Sequence, residues 1–263
     1  MRISGSTVLL TGATGGIGQA IARALKLRGA ELILTGRRTD VLEPLAAELG
    51  ARTLAVDLSV AAEVDRLLRE AGQIDILVAN AALPGSGKLD SFTIEEIDRA
   101  LDVNLRAPIV LAHALIPAMV ERRSGHLLFM SSLAGKSATP GASMYNATKY
   151  GLRGFAAALR PELRDHGVGV STVCPGFIRD AGMFADSGAK LPTGVGTRSP
   201  EDVAKAVVSA IERNRGEVDV APFALRAGAI FGGVAPEMAA AFTRRAGGEK
   251  IASDFATGQS GKR

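Results

Sequence analysis

Three side chains in the middle of the chain, Ser132, Tyr145 and Lys149, have the types and spacing needed to move a proton. Tyr145 and Lys149 are four residues apart with no Gly or Pro between them, so on a helix both project from one face. A free tyrosine releases its proton only near pH ~10, and moving that value by one costs about 1.4 kcal/mol. A cation at ~4 Å, in an effective dielectric of ~20, attracts a phenolate by roughly 4 kcal/mol, enough to lower the pKa by about two to three. Lys149 is therefore expected to make Tyr145 a proton exchanger usable near neutral pH. A serine hydroxyl delivered from a separate strand end would bond the same substrate oxygen and steady the charge developing on it.

The segments around these residues alternate between short apolar runs and helical patterns. Thr7 to Thr11 reads as a strand that ends in Gly12-Ala-Thr-Gly-Gly-Ile-Gly18, with helical spacing from Gln19 to Arg28. Glycine is needed where a side chain would hold the backbone away from a pyrophosphate, whose charge suits the positive end of the helix that follows. Gly12, Gly16 and Gly18 set the spacing, with Thr14, Gly15 and Ile17 between them. Glu31 to Thr35 is the second strand, and its end meets the adenosine ribose in folds of this kind. An acid there would select NAD. Gly36-Arg37-Arg38 instead offers room and two planar cations for a 2′-phosphate, so NADP(H) is preferred and NAD(H) is the second choice.

Further strands are expected over residues 52–56, 74–79, 126–130, 168–173 and 217–220. Helices are expected over 39–49 (closed by Gly50), 60–71, beyond the Thr93/Glu96 capping box, around Tyr145, and from Pro200 with Ser199 as cap. Alternation of this kind predicts one α/β domain over residues 1–263, a Rossmann-type doubly wound parallel sheet of about seven strands with helices on both faces. Gly12, Arg37, Asp57, Asn80, Ser132 and Pro175 each follow a proposed strand directly, so the candidate site residues converge on the carboxyl rim of that sheet. Residues 180–199 read as a glycine-rich lid over the substrate, with Met183, Phe184 and Leu191 on its apolar side. Residues 222–245 read as two short apolar helices split by Gly232-Gly233 and Pro236, and 247–263 as a mobile polar tail.

The Ser and Tyr-x-x-x-Lys set, with its glycine turn, resembles the short-chain dehydrogenase/reductase family over roughly residues 5 to 220. That resemblance implies an NADP(H)-dependent oxidoreductase interconverting a carbonyl and an alcohol on a small molecule, as a homodimer or homotetramer, and the lid and loop composition suggests that the molecule is partly apolar. It places the catalytic serine thirteen positions before the tyrosine, which chooses Ser132 over Ser131, and it places a water-holding asparagine of the proton relay at Asn104. It gives Lys149 a second task, bonding the nicotinamide ribose. It also carries cofactor contacts onto Asp57 and Leu58, onto Asn80, Ala81 and Ala82, where Ala82 stands in place of a glycine, and onto Pro175, Gly176 and Ile178. Asp180 occupies the position of the family's usual threonine, and a carboxylate there would repel pyrophosphate, so that role is not carried over.

Bulk properties exclude other classes. Lys and Arg are spread along the 263 residues without a basic block or interleaved aromatics, so the +4 formal charge is no nucleic-acid footprint. His113, His126 and His166 stand far apart and Cys174 is the only cysteine, so neither a metal site nor an intrachain disulfide is expected. With no apolar signal core before Thr7 and no uncharged run near the ~18 residues of a membrane span, a cytoplasmic protein is expected. Two rival readings of the same residues are a non-redox epimerase or dehydratase on this scaffold and a non-catalytic NADP-sensing protein.

Overall fold

A computed structural model describes residues 1–189, 191, 195–245 and 258. Seven parallel strands run in the order β3-β2-β1-β4-β5-β6-β7: β1 (Thr7–Leu10), β2 (Glu31–Gly36), β3 (Arg52–Ala55), β4 (Ile76–Ala79), β5 (Gly125–Met130), β6 (Val168–Pro175) and β7 (Glu217–Val220). The first crossovers run outward from β1 through α1 (Gly16–Leu27) and α2 (Thr39–Leu49). After α3 (Ala61–Ala71) the chain returns to β4 on the other side of β1. The strand order reverses between β1 and β4, and ligands of such sheets bind at that crevice.

The central strands β1, β4 and β5 are buried at nearly every position because both faces of the sheet are covered there. Val8 and Leu10 of β1 pack with Ile21, Leu25, Val203 and Val207, on the side of α1 and α8 (Pro200–Glu212). Leu9, between them, points to the opposite layer with Leu67, Leu111 and Leu152, as the two-residue strand period requires. That layer contains α3, α5 (Ala107–Glu121) and α6 (Ser143–Arg164). The helical run Ile94–Glu121, from α4 (Ile94–Leu101) through a π-helical turn at Asp102–Arg106 into α5, is long and apolar enough by length and composition to cross a membrane. Here it packs against α3, α6 and β5.

The capping boxes at Thr93/Glu96 and Ser199/Asp202 are formed, and Gly50 closes α2 at φ 56°. Three differences from the sequence reading have physical causes. β6 extends two residues further, through Cys174 to Pro175, because Pro175 pairs in register with Val220 at the sheet edge. α7 (Gly182–Ser187) gives the expected lid segment a helical turn, and Ile178 bridges to Arg198 across its base. The Gly232-Gly233 pair does not split the C-terminal helices. It lies inside α9 (Phe223–Val234), where a Cβ on Gly232 would collide with Ser137, and one on Gly233 would lie 2.8 Å from the Lys136 carbonyl oxygen. The break to α10 (Pro236–Arg245) falls at Ala235, the residue a following proline pushes out of helical geometry. Of the polar tail, only Gly258 is among the described residues.

Candidate active site

β5 ends beside β6, and the chain then makes a short 3₁₀ turn, Leu133–Gly135, with Ser132 as its extended first residue. The Ser132 hydroxyl accepts from the Ala134 amide at 3.1 Å and donates to the Pro175 carbonyl at 3.3 Å. Ser131 does a different job: its hydroxyl donates to the Lys149 carbonyl at 2.9 Å and pins α6 to the strand end. Both hydroxyls of the pair are thus hydrogen-bonded, Ser131 to the helix and Ser132 to its own turn and to the end of β6.

Tyr145 and Lys149 lie one turn apart on α6, the Lys149 nitrogen 5.5 Å from the centre of the tyrosine ring. Lys149 is buried and donates to the Met130 carbonyl at 2.9 Å. Burial lowers its pKa to about 8. Burial raises that of Tyr145 to about 12, opposed by a hydrogen bond with Ser132. The expected lowering of the phenol's pKa by Lys149 is therefore not found in the chain alone. The ammonium is bound to the Met130 carbonyl, and desolvation is the largest influence on the phenol.

Asn104 is buried in the π-helical turn. Its carboxamide accepts from the Leu83 amide at 2.6 Å and donates to the Leu83 carbonyl at 2.9 Å. The side chain is thus spent on fixing the loop after β4. Single π turns of this kind recur at functional sites.

The glycine turn fits a dinucleotide. Gly12 has φ +67°, and a Cβ there would stand 2.7 Å from the Ala81 Cα, while one on Gly18 would strike the Gly12 carbonyl. A Cβ on Gly15, by contrast, would meet nothing nearer than 3.7 Å, so its backbone faces open space. The first turn of α1 carries no acid, which leaves its positive end available to an anion. Asn80 ties β4 to this turn by donating to the Thr11 and Gly12 carbonyls, and Thr11 Oγ1 accepts from the amides of Asn80 and Ala81. Ala82 follows directly. Ile17 faces Gly182 at the start of α7.

Arg38 donates to the Thr14 carbonyl at 2.6 Å, and Arg37 and Arg99 each approach Asp57 Oδ2 to 3.6 Å. Burial raises the pKa of Asp57, but hydrogen bonds from Ser59 and the two guanidiniums hold it below the usual carboxylate range. Leu58 beside it is buried. Past the end of β6, the Gly176 amide donates to the Val220 carbonyl, and Ile178 is buried. Asp180 is exposed, at φ 68°, and pairs with Arg179 at 3.3 Å, so its carboxylate points into solvent. Among the described residues no group of three His, Cys, Asp or Glu could hold a metal.

Sequence reasoning missed the residues that fasten these parts together. Asn146 donates to the Ala134 and Ser137 carbonyls and accepts from the Thr139 amide, so it locks the Ser132 turn to α6. Gly85 lets the loop after β4 lie against α6: a Cβ would stand 2.8 Å from the Tyr145 nitrogen, and its carbonyl accepts from that amide. The only local signals were an asparagine next to the tyrosine and a glycine in a loop.

A parallel α/β sheet with a glycine cradle at its switch point and a paired phenol and hydroxyl on the same rim defines a dinucleotide-dependent enzyme. Comparison with known proteins gives the family. Residues 6–192 match the family model described as short chain dehydrogenase. The chain is 36% identical to ketoacyl reductase HetN of Nostoc sp. over 227 residues, 83% of this chain and 79% of that protein. It superposes with a TM-score of 0.77 on a short-chain dehydrogenase from Sphingobium yanoikuyae in complex with NADPH, at 30% identity over 89% of this chain and 95% of that one. It superposes with a TM-score of 0.75 on the closed form of a serine dehydrogenase complexed with NADP+, also at 30% identity, over 82% of this chain and 94% of that one. The chain belongs to the short-chain dehydrogenase/reductase family and is an NAD(P)-dependent oxidoreductase acting on CH–OH groups.

Proposed function

We propose that this protein interconverts a carbonyl and an alcohol on a small, partly apolar substrate, with NADP(H) as hydride carrier and Tyr145 as the group that exchanges the oxygen's proton. The observation that carries this reading is that Tyr145 of α6 and Ser132, two residues past the end of β5, lie close enough for the Ser132 hydroxyl to oppose the rise in the phenol's pKa, on the rim that also holds the glycine cradle. At 3.3 Å the Ser132 bond to Pro175 is long, so little is lost when the hydroxyl turns toward a substrate oxygen. A phenol with a pKa near 12 is fully protonated at neutral pH, ready to donate to the far more basic alkoxide that carbonyl reduction creates.

The turn from Gly12 to Gly18 would hold the pyrophosphate, Arg37 and Arg38 the 2′-phosphate, and Lys149 the nicotinamide ribose. The dinucleotide supplies or accepts the hydride when bound. Lys149, as the cation one helical turn from Tyr145, would lower the phenol's pKa for the oxidative direction wherever its ammonium bonds the ribose beside the phenol. The preference for NADP(H) is supported by the two arginines after β2 and by the NADPH and NADP+ held in the two similar structures. The names of the relatives, a ketoacyl reductase and a serine dehydrogenase, fit ketone and alcohol chemistry.

The test is NADPH consumption by the purified protein against acetoacetyl thioester, ethyl acetoacetate and bulky aryl ketones, repeated with Tyr145→Phe. The variant is expected to bind NADPH as the wild type does and to lose turnover by about 10³-fold or more. Turnover at the wild-type rate refutes the assignment.

A further inference from the structure

Below the Ser132 turn lies an ion network that the chemistry described so far does not use. Lys136, four residues after Ser132, is buried, and its ammonium lies 2.6 Å from Glu217 Oε1 and 2.5 Å from Asp219 Oδ1. Both acids belong to β7, the edge strand. The second oxygen of Glu217 is bound by Arg153 at 2.5 Å, and Arg153 sits one helical turn past Lys149 on α6. Asp219 also faces Arg226 of α9 at 3.7 Å. Burial works against the charge on Lys136, but the hydrogen bonds to Asp219 and Glu217 keep its pKa above the ordinary lysine value.

One carboxylate, Glu217, therefore joins the turn that carries Ser132 to the helix that carries Tyr145 and Lys149. Buried ion pairs are a weak source of stability because desolvation consumes most of the attraction, and apolar residues of similar size often do better. What a lysine clamped by two acids supplies is a fixed direction and register. Cys174 pairs with Asp219 and Pro175 with Val220, so the strand that holds Lys136 also backs the carbonyl that holds the Ser132 hydroxyl.

We infer that Lys136, clamped by Glu217 and Asp219, is a positioning residue that fixes the Ser132 hydroxyl relative to Tyr145. This rests on the reading of Ser132 and Tyr145 given above. Small displacements of a reacting group are costly: about 1 Å can lower turnover by ~10²-fold.

Lys136→Met alone leaves two carboxylates uncompensated and is a poor test, since the chain can fail to fold. The informative variant is the neutral triple Lys136→Met/Glu217→Gln/Asp219→Asn, measured with the best ketone of the panel in wild-type and Ser132→Ala backgrounds. The triple variant is expected to fold, to bind NADPH within about twofold of wild type, and to lose at least about tenfold in kcat with little change in KM. In the Ser132→Ala background the same changes are expected to cost less than about threefold, because the group being positioned is gone. Lys136→Arg, which keeps the charge, is expected to recover part of the loss. Equal losses in both backgrounds, or a folded triple variant with kcat within twofold of wild type, overturn the inference. Failure of the underlying reading is seen separately, as persistence of turnover in Tyr145→Phe.

Discussion

The buried amine of Lys149 gives a prediction whose size and sign both follow from its surroundings. Its pKa is lowered from 10.5 to about 8 by burial, a difference that corresponds to about 3 kcal/mol between protonation states. At pH 7 the folded and unfolded chains both carry the proton, and the folded state bears the whole cost of desolvating the charge. Between about pH 8 and 10.5 the folded chain releases its proton first. The unfolded chain then binds more protons, and stability rises with pH. Above 10.5 the cost has disappeared. Lys149→Met replaces the amine with an apolar chain of similar length and has no such titration. It leaves the Met130 carbonyl without its partner at every pH, which shifts the whole curve but not its slope. Urea unfolding of both proteins without nucleotide, at intervals from pH 7 to 10.5, is expected to show the wild type gaining about 3 kcal/mol on the variant across that window. Parallel curves, within about 0.5 kcal/mol, would mean that the amine is not desolvated in the free chain.

Two further predictions concern Tyr145 and the cofactor arginines. With only two tyrosines in the chain, ring-labelled NMR with Tyr145→Phe as reference can follow Tyr145 alone. The free protein is expected to keep this phenol protonated past pH 11, and NADP+ to bring its ionisation down by at least one pH unit; an unchanged titration on binding would remove Lys149 from the proposed mechanism. Arg37 touches no part of the glycine turn, whereas Arg38 holds the Thr14 carbonyl. Arg37→Ala is therefore expected to lower kcat/KM with NADPH by roughly ten- to a hundredfold and spare NADH, and Arg38→Ala to weaken both. An equal effect of Arg37→Ala on the two nucleotides would overturn the assignment of the 2′-phosphate.

The parts of this molecule that were legible in its sequence are those set by short-range rules. Leu9 between Val8 and Leu10 reads as a buried strand whether or not its neighbours are known, and Gly12 at a positive φ is required by the turn itself. The residues that followed strands did converge on one rim, because parallel topology forces every carboxyl end to the same side. What the sequence hid was tertiary. Asn146 and Lys136 serve carbonyls and carboxylates up to 83 residues away, and no local pattern separates them from a polar helix position or a solvated loop. The acidity of Tyr145 was misjudged for a related reason. Spacing of four residues places a cation within reach of a phenol, but it says nothing about the carbonyl of Met130, which claims the amine, or about the burial that acts on both groups at once. Desolvation raises the pKa of the phenol and lowers that of the amine, so each drifts toward its neutral form. At neutral pH the phenol therefore keeps its proton while the ammonium of Lys149 stays charged and bound to the Met130 carbonyl, so four-residue spacing alone does not make this tyrosine a base.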